Sequence, residues 1–260
     1  MEEESEKILV PTIYEQLRNI ADTSPETKAV SLDGENFAYE DVMTEVDILA
    51  AAFEECNVSE RTVVTICLPD NLQKLFCTFA LNKIGAFPYL IEPGVEASEL
   101  SDLMKKQGSE CLVIMDSMID EYKEMLTVLD PGMVVVCKKT DYFSFAKKRF
   151  RKLVDKEGTT ACPKDAFYTT YIQMRRFGKE IVTGKINDTY DWPSAFEEVG
   201  PEKEKEKFVP KISPEEAVIM VCVREEGQDR KLLTFPSERA AEMPEFLKTL
   251  ISPKKVSDAE

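Results

Sequence analysis

Residues 62–71 read Thr62-Val63-Val64-Thr65-Ile66-Cys67-Leu68-Pro69-Asp70-Asn71, an apolar run closed by turn-forming residues. A strand with one wet face alternates apolar and polar side chains. This one barely does, so both of its faces must be covered. Downstream, Leu72, Leu75, Phe76, Phe79 and Ala80 recur at helical spacing, and Ala86 to Ile91 is a second apolar run ended by Pro93-Gly94. Leu100, Leu103 and Met104 mark a helix that closes at Gly108, and Cys111 to Met115 reads as a third strand. Met118, Tyr122, Met125 and Leu129 mark the next helix; Pro131-Gly132 breaks it, and Met133 to Cys137 is a fourth strand. The four strands begin 22–25 residues apart. That spacing leaves room for one crossover helix each, which parallel neighbours require. The expected fold class is α/β, a mostly parallel sheet with helices on both faces.

Upstream, Thr12 and Glu15 form a capping-box pattern behind Pro11, with Ile13, Leu17 and Ile20 on one helical face. A hairpin is expected from Lys28 to Leu32, through Asp33-Gly34, to Asn36 to Tyr39, followed by a helix carrying Val42, Val46, Leu49 and Phe53. After residue 140 the regularity fades. Tyr142 to Val154 reads as a helix with a basic side, Lys147 to Lys152, which is either a phosphate or acidic-lipid patch or a solvated face. Asp155 to Gly200 shows little period; its Asp188-Thr189-Tyr190-Asp191-Trp192 is either a ligand lid or a surface turn. Glu202 to Lys207 is a charged linker. Ala217 to Val223 is a last strand, followed by Arg224 to Arg230, an apolar Leu232-Leu233, and a helix over Ser237 to Leu250. The resulting division is an α/β subdomain over 1–140, an irregular basic-helix and linker region over 141–210, and a strand, loop and helix over 211–260.

Composition excludes several chemistries. With 43% hydrophobic and 32% charged residues the chain can bury a core. Its 33 basic and 49 acidic residues leave a net charge of −16, which argues against nucleic acid or an anionic membrane as the main partner. There is no histidine, so a Ser-His-Asp triad, a Cys-His dyad and any His-ligated metal are ruled out. The seven cysteines are scattered with no Cys-x-x-Cys pair, and most, including Cys67 and Cys77, sit in apolar runs. They read as buried hydrophobes of a reducing compartment, not as zinc ligands or redox thiols. No metal set is expected. The acidic first residues lack a signal-peptide core, and no apolar run reaches the length of a membrane span. A cytoplasmic location is the expectation.

Three stretches resemble one family. Phe37-Ala38-Tyr39-Glu40-Asp41-Val42, followed by Ala50-Ala51-Ala52-Phe53, is similar to a tyrosine, E-L, N-R-L-A helix. Val63 to Asn71 is similar to a V-A-I-x-L-P-N-S strand end. Leu81-Asn82-Lys83-Ile84-Gly85-Ala86, running to Ile91-Glu92-Pro93, is similar to an L-K-A-G-A-x-x-x-P motif, with Leu90 where a proline is usual. Together they resemble the opening of the adenylate-forming, AMP-binding ligases: acyl-CoA synthetases, luciferases and peptide-synthetase adenylation domains. The resemblance runs from about residue 10 to 140 and resumes in outline at 214–240. It implies the N-terminal subdomain of an AMP-dependent synthetase.

That family carries a phosphate loop of the type T-S/G-G-T-T-G-x-P-K-G after a strand, whose glycines, hydroxyls and lysine cradle ATP phosphates. The positional equivalents here are Cys222 to Lys231. Gly227 is retained and Arg230 stands where the lysine belongs, beside Lys231; Glu225 and Glu226 replace the threonines, and Asp229 the proline. Two unit charges 4 Å apart at an effective dielectric of 20 repel by about 4 kcal/mol, so carboxylates facing a triphosphate are unfavourable. The family's later Tyr-Gly-x-Thr-Glu motif is absent. The expectation is a truncated relative of an AMP-forming acyl-CoA synthetase, not active alone, with no catalytic residue. It would act as a binding or scaffold module or as part of a split ligase. No cofactor is expected; ATP and magnesium enter only if the loop still functions. The alternative is a partial carboxylate–CoA ligase that retains ATP or acyl binding. Expected partners are a complementing ligase chain or a second copy.

Overall fold

The structure is a computed structural model that describes residues 11–32, 35–142, 161–164, 167–185, 216, 218–224 and 230–251. Helix α1, Ile13–Thr23, starts where its capping box dictates: Glu15 N donates to Thr12 Oγ1 at 3.1 Å, and Thr12 N to Glu15 Oε2 at 2.7 Å. Strands β1 (Lys28–Leu32) and β2 (Glu35–Ala38) pair antiparallel as a separate hairpin. Helix α2, Tyr39–Glu55, follows, with Asp41 Oδ2 accepting from Ala38 N at 2.9 Å.

The repeating unit then sets in: β3 (Val63–Cys67), α3 (Leu72–Lys83), β4 (Phe87–Ile91), α4 (Ala97–Gln107), β5 (Cys111–Met115), α5 (Ile119–Leu129) and β6 (Met133–Cys137). Asn71 caps α3, accepting from Lys74 N at 2.8 Å, and α4 stops at Gly108, whose φ of 62° lies in the left-handed region. The sheet order is β7-β6-β5-β3-β4-β8-β9, where β7 is Tyr168–Thr170, β8 Val218–Val223 and β9 Lys231–Pro236. All neighbours are parallel except β8 and β9. The mostly parallel α/β sheet is therefore as expected, and the spacing that foretold it also sets the layers. Ile66, Leu75, Phe76, Phe79 and Val113 belong to one buried cluster with α1, α2 and α3. Cys67, Leu100, Leu112, Tyr122 and Val136 belong to the other, under α4 and α5.

Two departures have plain causes. The stretch without evident period contains β7 and α6 (Tyr171–Thr183). Thr170 and Gln173 form a capping box, with Gln173 N donating to Thr170 Oγ1 at 3.2 Å, and Tyr171, Met174, Phe177 and Gly178 form the buried stripe of α6. The stripe is narrow and interrupted by Arg175 and Arg176, so it is hard to see in the sequence. The helix expected over Ser237 to Leu250 is broken into a 3-10 turn, Ser237–Glu242, and α7, Glu245–Ile251. Met243 precedes Pro244, and the proline ring drives it to extended backbone, φ −60° and ψ 158°. The basic stretch Lys147 to Lys152, the Asp188 to Trp192 segment and the Glu202 to Lys207 linker lie outside the described residues.

Helix α6 packs on α2, and the contact is closed by a buried polar group. The Arg175 guanidinium grips the Glu45 carboxylate with two hydrogen bonds, Nε to Oε2 at 2.5 Å and the other from a terminal nitrogen to Oε1. Tyr142 Oη donates to Glu45 Oε2 at 3.4 Å and meets the Tyr171 hydroxyl. Glu45 raises the Arg175 pKa, while burial drives both tyrosine hydroxyls up. The two tyrosines are neutral hydrogen-bonding partners of the Glu45–Arg175 pair.

Candidate functional site at the carboxyl end of the sheet

In a parallel sheet every strand ends at the same edge, so the loops that follow can converge on a ligand there. Strand β8 lies parallel to β4 in register, Ile91 opposite Cys222, so the end of β8 stands at the same edge as the carboxyl ends of β4 and β3. β8 and β9 pair antiparallel without a register shift from Val218↔Pro236 to Val223↔Lys231. Gly227 lies outside the described residues, as do Glu225, Glu226 and Asp229. Lys231 starts β9 and is exposed.

Arg230 points back into the protein. Its Nε donates to Glu99 Oε1, 2.7 Å away in the first turn of α4, and its side chain is 11% exposed against 36% for Glu99. Burial works against its charge; the hydrogen bond and negative charge of Glu99 outweigh it and raise the Arg230 pKa. Around this pair lie Cys67, Tyr89, Tyr122 and Cys222, all buried in the cluster beneath α4 and α5. Tyr122 Oη donates to Val95 O at 2.6 Å, and burial raises both tyrosines. Burial pushes the Cys67 thiol up to about 12, with Lys74 and Arg230 offsetting it only in part. Such a thiol is protonated at neutral pH and is not a nucleophile. Cys77 is pushed up by complete burial as well. Both cysteines are core, as their apolar neighbours imply.

A second polar group lies at the ends of β3, β5 and β6, and the sequence reading did not find it. Lys74 Nζ reaches Asp70 Oδ1 at 2.8 Å, Gln73 Nε2 donates to Lys138 O at 2.8 Å, and Lys138 N donates to Asp141 Oδ2 at 2.8 Å. The turn after β6 is thereby strapped across the start of α3. Asp116 follows β5, is 6% exposed, and its Oδ2 has no hydrogen-bond partner among the described residues. Burial raises its pKa, with Lys138 opposing. The available signal was an acid directly after an apolar strand, at the edge where parallel sheets place polar function.

The AMP-binding enzyme family profile matches residues 17–173, more than half of the chain. The chain belongs to the AMP-binding enzyme family. Among solved structures it is similar to the anthranilate CoA ligase AuaEII in complex with anthranoyl-AMP, at TM-score 0.60 and 11% identity over 90% of this chain and 36% of that one. Mycobacterium smegmatis MbtA, in its apo form, matches at TM-score 0.59 and 18% identity over 89% of this chain and 34% of that one. A long-chain-fatty-acid-CoA ligase from Archaeoglobus fulgidus matches at TM-score 0.55 and 15% identity over 91% of this chain and 40% of that one. At these identities the likeness is one of fold, and the chain spans well under half the length of each of these three proteins. No curated protein sequence matches significantly.

Proposed function

We propose that this chain is a non-catalytic member of the AMP-binding family that acts as a binding or scaffold module. The observation that carries the reading is the Arg230–Glu99 ion pair. Arg230 occupies the position of the loop lysine, and a residue that is to meet a phosphate must present its charge to the ligand. Here the charge is spent on an internal carboxylate and the side chain is largely withdrawn from water. The loop sequence supports the same conclusion, since Glu225, Glu226 and Asp229 replace two hydroxyl donors and a proline with negative charge. A triphosphate with its magnesium does not fit this donor set, and no chemical step is assigned to the chain.

The test is a thermal melt of the purified chain with and without Mg-ATP, alongside ATP–pyrophosphate exchange with a carboxylic-acid mixture. A ligand at 100 times its dissociation constant would add about 2.7 kcal/mol and move the melt visibly. The expected result is a cooperative melt indifferent to Mg-ATP and no exchange. A melt raised by Mg-ATP, or measurable exchange, would overturn the reading and favour a partial ligase that retains ATP binding.

A further inference from the structure

The two edges of the sheet are built differently. Strand β7 is three residues long, and short edge strands are one of the devices that keep proteins from pairing edge to edge. Strand β9 has none of these devices in its interior. It runs six residues, has no bulge against β8, carries its one proline at its last position, and has no neighbour on its outer side among the described residues. Lys231 to Thr234 are all exposed. Leu232 and Leu233, whose side chains point to opposite faces of the sheet, are each 41% exposed. Helices therefore cover neither face fully at this edge.

From these features we infer that β9 pairs with β9 of a second copy, antiparallel about a two-fold axis normal to the sheet. The charge pattern selects a second copy as the occupant. In a chain of net charge −16, β9 holds no acidic residue, so this edge lets two such chains approach with little repulsion. The strand is also self-complementary. Paired residues must point to the same face, so a two-fold axis through Leu233 sets Leu233 opposite its own copy, Leu232 opposite Thr234, and Lys231 opposite Phe235. No like charges meet; Leu233 packs on its own copy on one face, and Leu232 covers Thr234 of the other copy on the opposite face. The two sheets become one continuous fourteen-stranded sheet. A contact made by one strand pair and its side chains is smaller than the standard interface, so the dimer is a weak, concentration-dependent one. The inference stands on β9 alone and is independent of how the phosphate loop is read.

Sedimentation velocity of the full chain from low micromolar to about 200 µM tests it, this upper concentration suiting an interface of the small, transient class. The expected result is a shift from the 29.5 kDa chain mass toward twice that value as concentration rises. Leu233→Lys places like charges directly across the axis and is expected to abolish the shift. Leu233→Glu is expected to do the same, and an equimolar mixture of the two variants to restore association, with thermal melts showing both folded. A wild-type chain that stays monomeric throughout overturns the inference and leaves the edge to a different chain. Association that persists in Leu233→Lys alone, or a mixture that fails to associate, overturns it too.

Discussion

Replacing Gly178 with alanine probes the close approach of α6 to α2. A Cβ at this position would lie 1.9 Å from the Ile48 carbonyl oxygen, 2.8 Å from its carbonyl carbon and 3.1 Å from the Ala52 Cβ. Two of these neighbours are α2 backbone and cannot swing away, so α6 would have to retreat by about 1.5 Å to restore ordinary contact distances of the kind that close-packed interiors require. In an unconstrained helix the same change would stabilise the chain by about 1 kcal/mol. Here it overpacks, at about 1–3 kcal/mol. It also pulls Arg175 off Glu45, and disrupting a buried pair costs about 3–5 kcal/mol when one partner is lost outright. Retreat of the helix stretches that pair without removing it, so a net loss of about 2–4 kcal/mol is the expected outcome, well above the typical point mutant. For a chain of this size that lowers the melting temperature by roughly 5–12 °C. The assay is a thermal melt with a urea titration at matched pH, and the control is Lys179→Ala on the exposed side of the same helix, expected within about 0.5 kcal/mol of wild type. A Gly178→Ala variant that melts at or above wild type would refute the tight α2–α6 packing.

Glu45→Ala strands Arg175 and two tyrosine hydroxyls; because Arg175 keeps 37% of its side chain exposed, the expected loss in a urea titration is the moderate one of about 2 kcal/mol. Adding Arg175→Met should recover part of it, and the double-mutant cycle measures the coupling. Asp116 has a folded-state pKa raised by burial, so it favours the native state below its unfolded pKa, and that contribution is lost as pH rises through the folded value. Asp116→Asn should therefore gain stability relative to wild type as pH is raised from 3 toward 7, a trend read from melts across that range; a variant that loses stability relative to wild type with rising pH would contradict it. Five of the seven cysteines are buried, and Cys67 is raised to about 12, so at pH 8 a thiol reagent should label those five slowly in the native protein and all seven at once in denaturant. Rapid native labelling of Cys67 or Cys77 would count against the core described above.

Much of the sheet was legible because its signals are local. Pro69-Asp70-Asn71 and Pro131-Gly132 mark breaks within a few residues, and the apolar runs between them can be read one at a time. The Thr12 capping box is likewise a four-residue event, and it forms as read. Helix α6 was obscured although its capping box and stripe are present, because Arg175, a charged residue, stands beside the stripe with its charge turned onto Glu45. A charge next to a buried face reads as solvent-facing until its partner, 130 positions away, is known.

The candidate site divides along the same line. An arginine where the resemblance expects a lysine can be proposed from the order of residues, but that Arg230 pairs with Glu99 cannot, because the partner lies 131 positions away, on a helix of another repeat unit. The burial of Asp116, the strap from Lys138 to α3 and the place of β9 at the edge of the sheet among the described residues share this character. The type of each element and its approximate bounds follow from patterns within about ten residues, and one-dimensional order carries those in full. Which charges meet, which carbonyl a missing Cβ makes room for, and which strand ends the sheet are set by contacts between segments far apart in the chain. Those distances exist only once the crossovers have closed and the helices have packed.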